Sequence, residues 1–131
     1  MMTKEQHIDY WMNMAEEDWT TVGALFAMER YLHSLFWAHL SVERLAKAIW
    51  VKKHDVNTPP KESTIVRLLQ DSGVDLGKDT MNFLDYFNDF QLSNSYPDDT
   101  NKLYRICTKE FTSQELNKVK NVRTYLLEML P

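Results

Sequence analysis

The chain has 131 residues, a formal net charge of −4 from 15 lysines and arginines against 19 aspartates and glutamates, and 44% hydrophobic residues. That much apolar material, with four Trp, six Tyr and six Phe, excludes a disordered chain and suits one domain-sized core. The acidic balance argues against DNA or RNA as a partner bound through its phosphates, and the single cysteine, Cys107, excludes an internal disulfide framework and fits a reducing compartment.

The opening MMTKEQHIDYW has no apolar run behind a basic stretch, and no window approaches about 18 consecutive apolar residues. The expectation is a soluble, cytoplasmic protein with no signal peptide and no membrane partner. Thr3 and Gln6 have the spacing of a capping box. Behind them Ile8, Trp11, Ala15, Trp19, Val22 and Phe26 step by three and four, one apolar helical face. Glu16-Glu17-Asp18 falls mostly off that face and is expected in water. A second helix is stated by Leu32, Leu35, Val42, Ala46 and Ile49. No strong breaker separates the two, and a single helix from Thr3 to His54 would run roughly 75 Å, too long for a compact domain. A turn near Glu29-Arg30-Tyr31 follows from compactness alone.

Asn57-Thr58-Pro59-Pro60 ends the second helix, because a proline drives its predecessor out of helical geometry. A short helix carrying Ile65, Val66, Leu68 and Leu69 then closes at Gly73 in a left-handed cap. Asp79 is expected to cap a fourth helix, with Met81, Leu84, Phe87 and Phe90 or Gln91 inward. Asn94 to Asn101, NSYPDDTN, reads as a loop dense in turn residues. Residues 102–111 have no clear pattern. Thr112 and Glu115 have the spacing of a second capping box, opening a last helix with Leu116, Val119, Val122, Leu126 and Leu127 that ends near Leu130. The fold class is all-α: an up-and-down bundle of four to five helices, one domain over residues 1–131.

Within the second helix His39, Glu43 and Lys47 fall at i, i+4 and i+8. Taking His39 as the origin, Glu43 lies at about 40° and Lys47 at about 80° around the helix, among Phe36, Leu40 and Trp50. The wheel leaves Ser41, Arg44 and Ala48 for the solvent face. Charges among apolar neighbours need partners, because an unpaired buried ion costs several kcal/mol. The line therefore meets another helix, a second subunit, or an anionic ligand. In the ligand case Lys47 holds a phosphate, Glu43 orients it or accepts from the ligand, and His39 serves as a neutral donor and acceptor.

Several motifs resemble one family. LFWAHLSVERLAKAIW, residues 35–50, resembles the HEPN-domain pattern F-x-x-H-L-x-x-E-K-L-x-K-A. Tyr10-Trp11 with Ala15-Glu16-Glu17-Asp18-Trp19 resembles the family's opening YW…A-x-x-D-L. Thr58-Pro59-Pro60-Lys61 with Ile65-Val66-Arg67-Leu68-Leu69 resembles its TPPK-x-H-x-L segment, and Tyr96-Pro97-Asp98-Asp99 its RYPD loop. The motifs are collinear over about residues 10–100 and point to the type associated with minimal nucleotidyltransferases.

The resemblance implies a helical bundle, commonly a homodimer, acting as the non-catalytic partner of a nucleotidyltransferase in a toxin–antitoxin-like pair. It also implies a candidate nucleotide site at His39, Glu43, Lys47, Tyr96, Asp98 and Asp99. No cofactor is required; Asp98 and Asp99 are the candidates for Mg²⁺ brought with a nucleotide. Other family members are metal-independent endoribonucleases with an Arg-x4–6-His motif, and the third reading is a purely structural dimer. Here Arg30 precedes His33 and His39 at other distances, Arg44 has no histidine at that spacing, and the histidine of TPPK-x-H and arginine of RYPD correspond to Ser63 and Ser95. The ribonuclease motif is absent. Glu-x-x-His di-iron ligands, P-loop, dinucleotide-binding and serine-hydrolase motifs are absent too.

Overall fold

Thr3 begins the first helix, as its spacing to Gln6 predicts: the Gln6 N–H donates to Thr3 Oγ1 at 3.2 Å and the Thr3 N–H to Gln6 Oε1 at 2.9 Å. The computed structural model describes residues 1–130, and among them every regular element is a helix. Helix α1 spans Lys4–Ala27 and α2 Tyr31–Lys53. Between them Glu29 takes a left-handed φ of 61°, and the Arg30 N–H reaches back to the Leu25 carbonyl at 2.9 Å. The reversal inferred from length therefore exists at Met28–Arg30, although no glycine marks it. Helix α2 ends at Lys53, ahead of the two prolines, and Lys4 donates to the carbonyls of Val51 (2.7 Å) and His54 at that end. An ammonium there complements the negative pole of a long helix.

Helix α3 spans Ile65–Asp71, and Gly73, at φ 72°, closes it: the Val74 N–H donates to the Leu69 carbonyl at 2.9 Å. Helix α4 spans Lys78–Phe87, followed by short 3-10 turns at Asn88–Phe90 and Leu92–Asn94. Its N-cap is Gly77; Asp79 sits in the first turn, two residues inside the position expected of it. Helix α5 spans Pro97–Ile106, so the second half of the NSYPDDTN segment is helical, with Pro97 in the first turn. Helix α6 spans Lys109–Glu128. Its cap is Thr108, whose Oγ1 accepts from the Phe111 N–H at 3.1 Å; Thr112 and Glu115 lie within the helix and form no capping box. Six α-helices thus stand among the described residues where four to five were expected. The additional one, α5, spans residues 97–101 of the segment read as a loop and the start of the segment left unassigned. Its first half is rich in turn residues, and its short inward side, where Leu103 packs partly buried against the core, is too brief to announce a helix.

The core gathers Leu32, Leu35, Val42, Leu45 and Ile49 of α2 with Leu68 and Leu69 of α3, Leu84 and Phe87 of α4 and Val119, Val122 and Leu126 of α6. Helix α2 is central, and none of its residues from Ser34 to Val51 is fully exposed. This corrects the wheel: Ser41 and Ala48, placed towards solvent, are both buried, Ser41 against α1. The hydroxyl of Ser41 donates to the Ala15 carbonyl and that of Ser34 to the Val22 carbonyl, each at 2.9 Å. Small side chains at Ser34, Ser41 and Ala48, seven residues apart, let the two backbones approach.

Arg44 also departs from the solvent reading. Its Nη1 donates to both carboxylate oxygens of Asp18, at 2.7 and 2.9 Å. Asp18 is 2% exposed rather than solvated with its acidic neighbours. Burial raises its carboxyl above the ordinary 3.8, against the pull of Arg44, so the pairing does not wholly offset desolvation. Alongside, the buried Arg123 of α6 donates to Ser41 Oγ and to Glu16 at 2.7 Å, and lies 4.7 Å from the Trp19 ring centroid. Arg44→Ala is expected to leave Asp18 buried without its partner and to cost about 3 kcal/mol in urea unfolding. Adding Asp18→Ala to that variant should recover part of the loss; a double variant as unstable as the sum of the singles would show that the pair is not coupled.

Candidate functional site

The His39–Glu43–Lys47 line exists as a chain of contacts along α2. Four-residue steps bring successive side chains within reach of each other on a helix. His39 is 1% exposed, packed beside the Phe87 ring with centroids 6.0 Å apart. Its Nε2 lies 3.3 Å from Asn88 Oδ1, so the turn after α4 fixes the ring. Its Nδ1 is buried without a hydrogen-bond partner and stands 4.0 Å from Glu43 Oε1. The other oxygen of Glu43 takes Lys47 Nζ at 3.3 Å, and that ammonium lies 5.1 Å from the Trp11 ring centroid of α1. Glu43 and Lys47 keep 15% and 13% of their side chains exposed.

These two residues belong to a longer stripe. Phe36, Leu40, Glu43, Lys47 and Trp50 recur at steps of four and three, and each keeps part of its surface in water. They form a partly covered strip along the helix, and Trp37 and Arg44 outside it are partly covered too. Such spacing is that of a helix–helix seam, with apolar groups at both ends and an ion pair in the middle.

Chemically the strip holds no free cation for a phosphate, because Lys47 is engaged by Glu43 and by the face of Trp11. Tyr96, Asp98 and Asp99 stand elsewhere, at the start of α5. Tyr96 is 76% exposed, and the two aspartates lie in the first turn, where a carboxylate complements the helix dipole. No hydrogen bond or ion pair among the described residues joins them to His39, Glu43 or Lys47. Nor do three side chains of His, Cys, Asp or Glu gather among the described residues as a metal would require. Lys61 and Ser63 of the TPPK-like segment stay outside the line, while Pro59 is buried and lines a cleft with His7, Tyr10 and Trp11.

A second polar cluster escaped the reading of the sequence. Between α4 and α6 lies a cleft of about 410 Å³ walled by Phe83, Tyr86, Val122 and Tyr125, with Asp79 and Lys118 among its lining. There the Tyr86 hydroxyl donates to Glu115 Oε1 at 2.8 Å, and Lys118 Nζ reaches Glu115 Oε2 at 3.0 Å. Burial, then the bond to Glu115, pushes the Tyr86 phenol up; the same carboxylate raises Lys118. Nearby Cys107 is a buried thiol, held at about 11 by burial and the charge of Glu115, and is therefore not a thiolate nucleophile at neutral pH. The i, i+3 spacing of Glu115 and Lys118 is the one signal the sequence offered, and the capping-box pattern at Thr112 obscured it.

The fold is thus a helical bundle built round a central α2 whose outer strip carries a carboxylate and a lysine, with a buried histidine behind them. The family model for the HEPN domain matches residues 8–130, and the chain belongs to that family. No curated protein and no solved structure matches it. No helix of the described residues is long and apolar enough to cross a membrane.

Burial lowers the His39 ring below its ordinary 6.5, outweighing the opposing pull of Glu43 and the Asn88 bond. A depressed folded-state value means that, as pH falls through 6.5, the unfolded chain takes up this proton before the folded one does. Stability should therefore fall on acidification from 6.5 down to the folded value and then level off. His39→Gln is expected to lack this component when urea midpoints are compared at about pH 7.5 and about pH 5.5. Equal losses in the two proteins would assign the effect to other groups.

Proposed function

We propose that this HEPN protein is non-catalytic and works as a homodimer joined along α2, as the partner of a nucleotidyltransferase in a toxin–antitoxin-like pair. The observation that carries the dimer is the stripe Phe36, Leu40, Glu43, Lys47 and Trp50, which is spaced as a helix seam and covered only in part by this chain. Two α2 helices crossing antiparallel about an axis level with Leu45 set Glu43 against Lys47 of the second copy and Leu40 against Trp50. The central ion pair is self-complementary under that twofold operation, as an isologous interface requires. The pairing with a nucleotidyltransferase is supported by the collinear motifs and by the missing Arg-x4–6-His.

The geometry favours a second copy over an anion at this line, because a phosphate would have to displace Glu43 from Lys47 and lift Trp11. A nucleotide, with Mg²⁺ on Asp98 and Asp99, is the weaker reading. A melting temperature that rises with ATP or GTP in wild type but not in Lys47→Ala would favour it instead.

Sedimentation velocity tests the dimer. Glu43→Lys and Lys47→Glu should each weaken self-association on the order of tenfold or more by setting like charges together. An equimolar mixture of the two variants should associate again, since each supplies the charge the other lacks. Variants that stay dimeric alone, or a mixture that stays monomeric, would remove α2 as the interface. For the pair, co-elution of the dimer with a minimal nucleotidyltransferase from the same genome is expected on size-exclusion chromatography.

A further inference from the structure

Buried polar atoms in folded proteins are nearly all hydrogen-bonded, so an unpartnered one needs an explanation. His39 Nδ1 is such an atom. With the Asn88 carbonyl oxygen 3.3 Å from Nε2, the neutral ring carries its only N–H on Nε2, and Nδ1 turns a lone pair towards Glu43 Oε1 at 4.0 Å. Two acceptors face each other there. The cluster is one proton short of a closed network, and Glu43 is held back on Lys47 instead.

We propose that His39 is a proton-operated coupling between the bundle interior and the α2 stripe: a proton taken up at Nδ1 draws Glu43 off Lys47 and opposes pairing of two copies. This rests on the reading of the stripe as the self-pairing face. In the neutral state Glu43 and Lys47 cancel within each copy. With His39 protonated, each stripe carries one net positive charge and Lys47 loses its intramolecular carboxylate, so two copies meet with like charge. The proton comes from solvent, and no bond other than that N–H forms or breaks.

The groups facing the ring are few. On α2 they are Glu43 and, behind it, Lys47; from the end of α4 and the turn that follows come Phe87 and the uncharged Asn88. From α1, Trp11 reaches only Lys47. Glu43 is the charged group whose field bears on the imidazole, and burial opposes its pull, which places the transition on the acid side of an ordinary histidine. The turn at Asn88 holds Nε2 in both states, so the change is directed outward to the stripe.

The test pairs two measurements on the full chain across about pH 8 to 5. Long-range ¹⁵N–¹H NMR reads the His39 tautomer, and sedimentation equilibrium reads the dimer dissociation constant. Expected are an Nε2–H tautomer at the alkaline end, protonation of Nδ1 on acidification, and over the same interval a rise of about tenfold or more in the dissociation constant. His39→Gln should flatten that rise. The coupling is overturned by an Nδ1–H tautomer in the neutral ring, by a dissociation constant that does not change while His39 protonates, or by an equal pH dependence in His39→Gln. The first two need only wild-type protein and stand even if the variant does not fold. A protein monomeric at the alkaline end overturns the dimer reading and the coupling with it, which separates that failure from loss of the coupling alone.

Discussion

The ion pair between Arg44 and Asp18, 2.7 Å apart, fixes the side of α2 that α1 must cover, and most of the structure depends on that choice. Asp18 cannot be buried unpaired without a cost of several kcal/mol, and among the described residues Arg44 is the group that meets it. With that pair in place, Ser34, Ser41 and Ala48 line the same seam, small enough for the α1 carbonyls to come within reach of the serine hydroxyls. Arg123 then ties α6 into the seam through Ser41 and Glu16, so three helices share one polar network beside an apolar core.

Commitment of one face of α2 to α1 and of another to α3, α4 and α6 leaves the strip from Phe36 to Trp50 without full cover, as it also leaves Trp37 and Arg44. The strip repeats every seven residues, as the α1 seam does: Phe36, Glu43 and Trp50 on one row, Leu40 and Lys47 on the next. One seven-residue seam is filled within the chain, and the other is filled in part. The same constraint gives His39 its unusual position. It lies at the inner edge of the open strip, tied to the α4 turn by one nitrogen and facing the Glu43–Lys47 pair with the other. A residue so placed lies in the core and borders the ion pair of the open strip.

The second polar cluster, Tyr86, Glu115 and Lys118, works differently. It bridges α4 and α6 at one end of an apolar cleft and leaves the rest of that cleft open. Glu115 is buried there with two partners, the arrangement in which a buried carboxyl group is tolerated. Its role is to hold two helices that have no polar seam of the α1–α2 kind.

Local features were legible in the residues themselves. The capping box at Thr3, the left-handed closure at Gly73, the apolar stripes of α1, α4 and α6 and the contiguity of His39, Glu43 and Lys47 all follow from interactions within one or two turns of chain. The HEPN motifs were legible for the same reason, since they are short runs of defined spacing. The environment of Ser41, Arg44, Ala48 and Asp18 was not. Serine and alanine are indifferent to burial as pattern elements, and an arginine on a wheel looks solvated until a carboxylate 26 residues away arrives beside it. Helix α5 was missed because its first half is the turn-rich run PDDTN and its inward side, where Leu103 packs partly buried against the core, is too short to read as a period. Sequence alone determined that the chain is helical and where its polar line runs; only the packing of one helix on another decided which side of α2 is covered, because burial is a property of neighbours and not of spacing.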